Sequence, residues 1–151
     1  MLSNRDISII KDSALLITRN DTEIAKRMYE ILFSKYPSIK SLFQNVGIGQ
    51  HKKLATALSS YAVNIDKLDL LRPALFEIAK VHVARKIENR YYPMIGLCLI
   101  QAIEDILHTD ATPEFIDAWR EAYKTVAQAL MDIENEMRLR DKTDELVVTS
   151  N

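Results

Sequence analysis

Residues 71–82 read Leu-Arg-Pro-Ala-Leu-Phe-Glu-Ile-Ala-Lys-Val-His, and this stretch decides the fold class. Leu71, Leu75, Ile78 and His82 follow one another at steps of four, three and four residues, which point the four side chains to one face of an α-helix. Such a row predicts a helix that faces a core. The imidazole of His82 is therefore either buried with a hydrogen-bond partner or directed into an internal cavity.

Two more polar side chains lie on rows that are otherwise apolar. Tyr29 belongs to the row Ala25–Tyr29–Leu32–Tyr36, and Glu134 extends the row Tyr123–Ala127–Leu130. Each has an ordinary explanation, because a core tyrosine usually finds a partner for its hydroxyl and a glutamate near a helix end usually reaches solvent. Three such groups in one chain indicate an interior built around a bound group.

Helical periodicity continues on both sides of residues 71–82, and we find no convincing β-strand pattern. The sequence predicts one all-α domain of six or seven helices over residues 1–140 and a disordered tail over residues 141–151. Ser3 with Asp6 and Asn20 with Glu23 resemble helix-capping pairs and predict two helix starts. The expected helices are 4–19, 20–36, 50–66, 73–83, 93–108 and 113–140, with a turn over 37–43, a loop over 44–49 and a surface connection over 84–90.

Composition excludes several classes of protein. Twenty basic and twenty-one acidic residues give a net charge of -1, which provides no electrostatic surface for nucleic acid. The most apolar stretch, residues 94–100, is far shorter than the ~20 residues of a membrane span. The single cysteine, Cys98, cannot form an internal disulfide, and the charged N-terminal region does not resemble a signal peptide. We therefore expect a soluble cytoplasmic protein.

His82 is also a candidate metal ligand, because histidine is the commonest protein ligand for metal ions. A structural zinc site needs four ligands, and Cys98, His51 and His108 form no ligand cluster with His82. Both His51 and His108 are expected at the surface. A site with one histidine indicates haem, where the porphyrin supplies four further ligands. The alternative is a core histidine whose ring nitrogens are both satisfied by protein groups.

Several separated pieces of the chain carry a family resemblance. In chain order they are Met28-Tyr29 with Leu32-Phe33, Pro37 with Leu42-Phe43-Gln44, Gln50 with Lys53-Leu54-Ala55, Asn64-Ile65-Asp66-Lys67-Leu68, Val81-His82, Tyr92-Pro93-Met94-Ile95-Gly96, Ala118-Trp119-Arg120-Glu121-Ala122-Tyr123 and Ile133-Glu134. Together they resemble the bacterial single-domain haemoglobins of the globin family, which are similar to the haem domain of flavohaemoglobins. The order and spacing of the pieces make the resemblance specific over residues 3–138.

The resemblance implies a globin fold around haem b, iron protoporphyrin IX, with His82 as the proximal iron ligand. Tyr29 and Gln50 would be the polar distal residues, and Tyr92 with Glu134 would form a hydrogen-bond network behind His82. Catalysis would involve Tyr29, Tyr92 and Glu134. The implied cofactor-binding residues are Phe43, Gln50, Leu54, His82, Ile87 and Tyr92.

The implied ligands are O2, nitric oxide and other diatomic molecules. A carboxylate behind the proximal histidine strengthens it as an electron donor, which favours redox chemistry over simple storage. The first hypothesis is a nitric oxide dioxygenase supplied with electrons by a separate reductase, since a flavin and nicotinamide domain has no place in 151 residues. The alternatives are an oxygen-binding, delivery or sensing haemoglobin without significant turnover, and a haem-free helical interaction module.

The chain departs from the family pattern at three places. The loop before Gln50 is shorter, His51 stands where a proline often follows the distal glutamine, and Val81 stands where a lysine is common. His51 or Gln50 is therefore an additional candidate for ligation of the iron from the distal side. Arg85 or Lys86 is a candidate partner for a haem propionate in place of that lysine.

Overall fold

The computed structural model describes residues 2–43 and 49–149, and in these residues it contains seven α-helices and no β-strand. The helices are α1 (Asn4–Asp12), α2 (Ala14–Lys35), α3 (Pro37–Lys40), α4 (Gly49–Val63), α5 (Arg72–Ala84), α6 (Tyr92–Leu107) and α7 (Pro113–Thr149). Short 3₁₀ turns occupy Ser41–Phe43, Leu68–Leu71, Asn89–Tyr91 and His108–Asp110. The predicted all-α class is confirmed.

Two cores hold the helices together. Helix α2 packs against α4 and α6 over the larger core, whereas α5 packs against α7 over a smaller one. The buried members of the smaller core are Ala79, Tyr92, Ala127 and Leu130. Because α5, α6 and α7 all contribute to it, side chains far apart in sequence meet at its edge.

The first helix boundary differs from the expectation. Asn20 lies inside α2, where its Nδ2 donates to the Leu16 carbonyl at 2.8 Å, so it does not begin a helix. The chain instead turns at Ser13, whose hydroxyl donates to the Ile10 carbonyl at 2.8 Å and so satisfies a helix-end acceptor. Ile17 and Ile24 are both fully buried, and this continuous apolar row across Asn20 outweighs its local preference for a cap.

The capping pair at the N-terminus is confirmed. Ser3 Oγ accepts from the Asp6 backbone N–H at 3.0 Å, and Asp6 Oδ2 accepts from the Ser3 backbone N–H at 3.2 Å. Pro73 lies in the first turn of α5, where its missing N–H costs no intrahelical hydrogen bond.

The last helix is longer than the sequence predicted. Residues 141–149, expected as a disordered tail, continue α7, and residues 141–148 are exposed. That the domain itself ends at residue 140 stays a prediction. The predicted loop over 44–49 falls largely on residues 44–48, outside the described part of the chain. Across 2–43 and 49–149, no helix combines the length and apolar character that crossing a bilayer requires.

Candidate functional site

Three polar side chains from three helices meet at the edge of the smaller core. His82 lies near the end of α5, Tyr92 begins α6, and Glu134 is on α7. His82 Nδ1 is 3.0 Å from the Tyr92 hydroxyl and 3.2 Å from Glu134 Oε1. The Tyr92 hydroxyl donates to Glu134 Oε2 at 2.6 Å. We call these residues the proximal triad.

Glu134 is the most deeply buried member of the proximal triad, with 0% of its surface exposed. A buried carboxylate is costly unless donors satisfy both of its oxygens. Here one oxygen accepts from Tyr92 and the other is within reach of His82 Nδ1. Burial, and then the hydrogen bond to Glu134, raise the pKa of the Tyr92 phenol well above its usual range. Burial thus favours the neutral phenol, which is the form that donates to Glu134.

The proximal triad fixes the proton on the His82 ring. Tyr92 uses its only proton on Glu134, so both oxygens that face Nδ1 are acceptors and Nδ1 must carry the hydrogen. In a neutral imidazole with its hydrogen on Nδ1, the lone pair lies on Nε2, on the far side of the ring from Glu134. Nε2 receives no hydrogen bond from residues 2–43 or 49–149. This is the state in which a neutral imidazole ligates a metal.

The segment after His82 is fixed to it by a helix C-cap. The Ile87 N–H donates to the His82 carbonyl at 2.9 Å and the Lys86 N–H to the Val83 carbonyl at 3.1 Å. Lys86 has a φ of 58°, so the cap is a Schellman motif with lysine at the position that glycine usually takes. Ile87 is buried, contrary to the predicted surface character of residues 84–90.

Arg138 ties this capped segment to α7. Its Nη2 donates to the Ile87 carbonyl at 2.6 Å, and its Nη1 is 3.4 Å from Asn89 Oδ1. Because Arg138 lies one turn after Glu134, a single helix holds both the ring of His82 and the turn that caps its carbonyl.

Tyr92 is held in place from a third direction. Tyr123, on α7, donates from its hydroxyl to the Tyr92 carbonyl at 2.6 Å. Its ring lies across Gly96 of α6, where an added Cβ would clash with Tyr123 Cε1. A glycine is thus required at residue 96 for α6 and α7 to approach this closely.

A second group of predicted residues forms an aromatic cluster of Tyr29, Phe33, Phe43 and His51. The Tyr29 ring centroid is 5.6 Å from Phe33, 5.8 Å from Phe43 and 5.1 Å from His51. Tyr29 is buried, with 6% of its surface exposed. The contact with His51 is edge-on, at an interplanar angle of 60°, which is a favourable arrangement for aromatic rings.

The outcome for the other predicted residues is mixed. His51 is half-buried against Tyr29 and is not the free surface group that the sequence predicted, whereas His108 is exposed as expected. Leu54 packs against the larger core, to which Tyr29 also belongs. Gln50 begins α4, but its side chain lies outside the described part of the structure, so its distal position stays a prediction.

The family model Globin matches residues 26–130. The chain is a globin. A globin-like protein of Aquifex aeolicus, itself uncharacterized, is 43% identical, and the match covers 91% of this chain and 97% of that protein. The flavohemoprotein of Bacillus cereus is 36% identical over 91% of this chain, which spans only 34% of that protein's length.

Solved structures support the same family assignment. The bacterial globin of Campylobacter jejuni is 30% identical with a TM-score of 0.82, covering 90% of this globin and 99% of that chain. An engineered carbene transferase from Rhodothermus marinus, a variant of the candidate nitric oxide dioxygenase RmaNOD, is 31% identical with a TM-score of 0.88. The match covers 92% of this globin and 97% of that chain. The predicted globin fold and the resemblance to bacterial haemoglobins are confirmed.

Sequence reasoning missed two residues that support the site, Arg138 and Tyr123, and one contact, between His51 and Tyr29. The sequence could have indicated Arg138, because this residue continues the row Tyr123–Ala127–Leu130–Glu134 by one turn and carries the charge opposite to that of Glu134. Tyr123 was recognised only as part of an apolar row, and its hydroxyl gave no hint of its acceptor. The contact of His51 with Tyr29 had no signal in the spacing of either residue.

Proposed function

We propose that this globin binds haem b through Nε2 of His82 and uses it to convert nitric oxide and O2 to nitrate. The observation that carries the proposal is the proximal triad, in which buried Glu134 and Tyr92 occupy Nδ1 and leave the Nε2 lone pair available. The names of relatives support the chemistry, since they include a flavohemoprotein and a candidate nitric oxide dioxygenase.

The residues present fit an iron porphyrin. The His82 side chain is 24% exposed even though its helical row is otherwise apolar, so the imidazole edge is open on one side. We assign Phe43, Leu54 and Ile87 to apolar contact with the macrocycle, together with Gln50 and Tyr92 as polar neighbours. Arg85 and Lys86, both exposed beyond the end of α5, are the cations available to a propionate.

Bound haem would supply an iron centre that takes O2 and nitric oxide and undergoes the redox change. Glu134 would strengthen His82 as a ligand of that iron, because a carboxylate that accepts a hydrogen bond from Nδ1–H makes the imidazole a stronger electron donor. Tyr92 orients Glu134 by donating to its second oxygen. The proximal triad therefore favours redox chemistry over simple release of O2.

Tyr29 provides the distal hydrogen-bond donor in this proposal. It is buried in the aromatic cluster, where water competes little for its hydroxyl. Donation to a partly negative diatomic ligand would be a charge-assisted hydrogen bond, which contributes about 1.5–3 kcal/mol. Retaining O2 until nitric oxide arrives suits a dioxygenase better than a carrier.

Conversion of nitric oxide and O2 to nitrate consumes one electron in each turnover. We therefore propose an external reductase as partner. The buried thiol of Cys98, the one cysteine of the chain, is in keeping with the reducing cytoplasm that we propose as the location.

The reaction is tested by adding nitric oxide to the reduced, oxygenated protein and following nitric oxide loss and nitrate formation by stopped flow. We expect consumption to be faster than with the same concentration of free haem, with nitrate formed in equal amount. Nitric oxide consumption no faster than that by free haem would refute the dioxygenase activity. An oxygen-binding role would then remain.

The distal assignment is tested by Tyr29→Phe, which removes the hydroxyl and keeps the ring in the aromatic cluster. Loss of about 1.5–3 kcal/mol should accelerate O2 dissociation roughly 10- to 100-fold. Tyr36→Phe is the matched control, since Tyr36 is a half-buried tyrosine at the end of the same helix. Equal O2 dissociation rates in Tyr29→Phe and the unmodified protein would show that the donor is another residue.

A further inference from the structure

The net charge of -1 conceals an uneven distribution of charge along the chain. Residues 36–65 contain three lysines, and residues 78–87 contain two lysines and one arginine, while neither segment contains an aspartate or a glutamate. These 40 residues therefore carry a formal charge of +6, and the other 111 residues carry -7. The first segment includes Phe43 and Leu54 and the second includes His82, which we assign to haem binding. Positive charge is thus concentrated where the cofactor would lie.

Three exposed lysines of the first segment flank the aromatic cluster. Lys40 precedes Phe43 by three residues, and Lys52 and Lys53 directly follow His51 in the first turn of α4. Phe43 and His51 contact one ring of the aromatic cluster, at centroid distances of 5.8 Å and 5.1 Å. The backbone at all three lysines is therefore held beside the proposed distal side of the haem site.

Two exposed cations of the second segment lie at the end of α5, beside the proposed proximal ligand. Arg85 and Lys86 follow His82 by three and four residues. The helix C-cap fixes their backbone, because the Arg85 N–H donates to the Val81 carbonyl at 3.0 Å and the Lys86 N–H to the Val83 carbonyl at 3.1 Å. We call five cations the basic rim: Lys40, Lys52, Lys53, Arg85 and Lys86.

The charge of the basic rim is not neutralised by neighbouring side chains. None of its members forms an ion pair with residues 2–43 or 49–149, whereas Lys80, the sixth cation of the two segments, contacts Glu77 at 3.1 Å. The two propionates of a bound haem would bring two negative charges, so three positive charges would remain in excess. Against a remainder of the chain that carries -7, the basic rim creates a local positive potential.

We propose that the basic rim is the docking surface for an acidic electron-donor protein, which is the reductase of the proposed function. The inference rests on that function, because one electron must pass from the donor to the iron in each turnover. The donor is thereby oxidised by one electron, and the iron is reduced from ferric to ferrous.

The distribution of charge selects an acidic donor. Such a protein is attracted to the basic rim and repelled by the rest of the surface, so it approaches in the orientation that brings its redox group to the haem site. A basic donor would be drawn to the other faces, away from the iron. Electron-transfer encounters use small interfaces, which suits a rim of exposed charges better than a large apolar contact.

The salt dependence of electron transfer tests the docking surface. The probe is reduced flavodoxin, a soluble acidic flavoprotein, which is mixed by stopped flow with the ferric, haem-loaded chain. We expect the second-order rate constant of haem reduction to fall at least about tenfold as ionic strength rises from about 10 mM to about 300 mM, because salt screens a local positive potential. A rate constant independent of salt would overturn the proposal.

Charge reversal at the start of α4 tests the location. Lys52→Glu combined with Lys53→Glu reverses two exposed charges of the basic rim, and acidic residues are favoured in the first turn of a helix. At an ionic strength of about 0.1 M, this double variant should be reduced by flavodoxin at least about tenfold more slowly than the unmodified chain. Neither lysine belongs to the groups that we assign to haem contact.

A second double variant, Arg120→Glu with Lys124→Glu, is the matched control. It too reverses two exposed charges on one helix, and each double variant changes the net charge of the chain from -1 to -5. Lys124 lies ten residues before Glu134, or about 15 Å along α7, which exceeds the Debye length of about 10 Å at 0.1 M. The control should change the rate constant less than about twofold. Equal losses in both double variants would show an effect of net charge and overturn the proposal.

Binding without electron transfer provides a second readout. Amide chemical shifts of the ¹⁵N-labelled, haem-loaded chain in its carbonmonoxy form are followed during titration with oxidised flavodoxin, and the changes should concentrate in residues 36–65 and 78–87. Changes confined to other residues would overturn the proposal. A response to phosphatidylglycerol vesicles but not to flavodoxin would also overturn it, in favour of a lipid surface. Nitric oxide is absent from both measurements, so failure of the dioxygenase reaction would leave their results unaffected.

Discussion

We expect His82→Gly to lose stable haem binding, which is the largest effect of any substitution proposed for this globin. Removal of a residue that merely orients a metal ligand costs about 10–100-fold in affinity, so removal of the ligand itself should cost more than about 100-fold. A glycine in the last turns of α5 costs only about 1 kcal/mol of helix stability, too little to unfold the chain. The measurement is the Soret absorbance that remains after competition with an excess of a haem acceptor.

Two controls make this result specific. Added imidazole should restore the band in His82→Gly, because it can occupy the vacated volume and supply the same nitrogen. His108→Gly should bind haem normally, since His108 is exposed and its φ of 51° suits glycine. An unchanged spectrum in His82→Gly would refute the proposed ligand. No Soret band in the unmodified chain after haem supply would instead favour a haem-free interaction module.

Tyr92→Phe should produce the largest loss of stability. The substitution removes the hydroxyl that donates to Glu134 Oε2 at 2.6 Å and leaves a fully buried carboxylate with one donor fewer. An unsatisfied buried charge of this kind costs about 2–4 kcal/mol. For a domain of this length, thermal unfolding should move down by roughly 5–15 °C. The measurement compares melting at equal haem occupancy, because a bound cofactor shifts the midpoint.

Tyr91→Phe is the matched control for this prediction. Tyr91 precedes Tyr92, but the one hydrogen bond of its hydroxyl with residues 2–43 and 49–149 is an exposed contact, accepted from Arg90 at 3.0 Å. Its loss should change stability by less than about 0.5 kcal/mol. In the Tyr92→Phe background, Glu134→Gln should recover part of the loss because it removes the buried charge. Equal melting of Tyr92→Phe and Tyr91→Phe would contradict the assignment of Tyr92 as the donor that stabilises Glu134.

Helical periodicity was enough to select the residues of the proximal triad that lie on apolar rows. His82 and Glu134 each interrupt such a row, and the fixed rotation per residue of an α-helix sends these side chains inward whatever the rest of the chain does. Their partnership was implied only by the family resemblance. No local pattern brings together residues 82 and 134, because their contact depends on how α5 packs against α7.

Other features depended on tertiary packing that the sequence does not display. Asn20 does not begin a helix because burial of Ile17 and Ile24 keeps α2 helical through it. His51 meets Tyr29 through the approach of α4 to α2, which no spacing within either helix encodes. The polar composition of residues 141–149 favoured disorder, yet the structure continues α7 through them.

The Schellman cap and Arg138 have a mechanical consequence for His82. Glu134 contacts Nδ1 of the His82 ring, whereas Arg138 donates to the carbonyl of Ile87 in the turn that caps α5. Both residues lie on adjacent turns of α7. Any displacement of α7 relative to α5 would therefore move the partner of the imidazole and the partner of the capping turn together. The orientation of this histidine is thus coupled to the packing of the last helix through two contacts that shift as one unit.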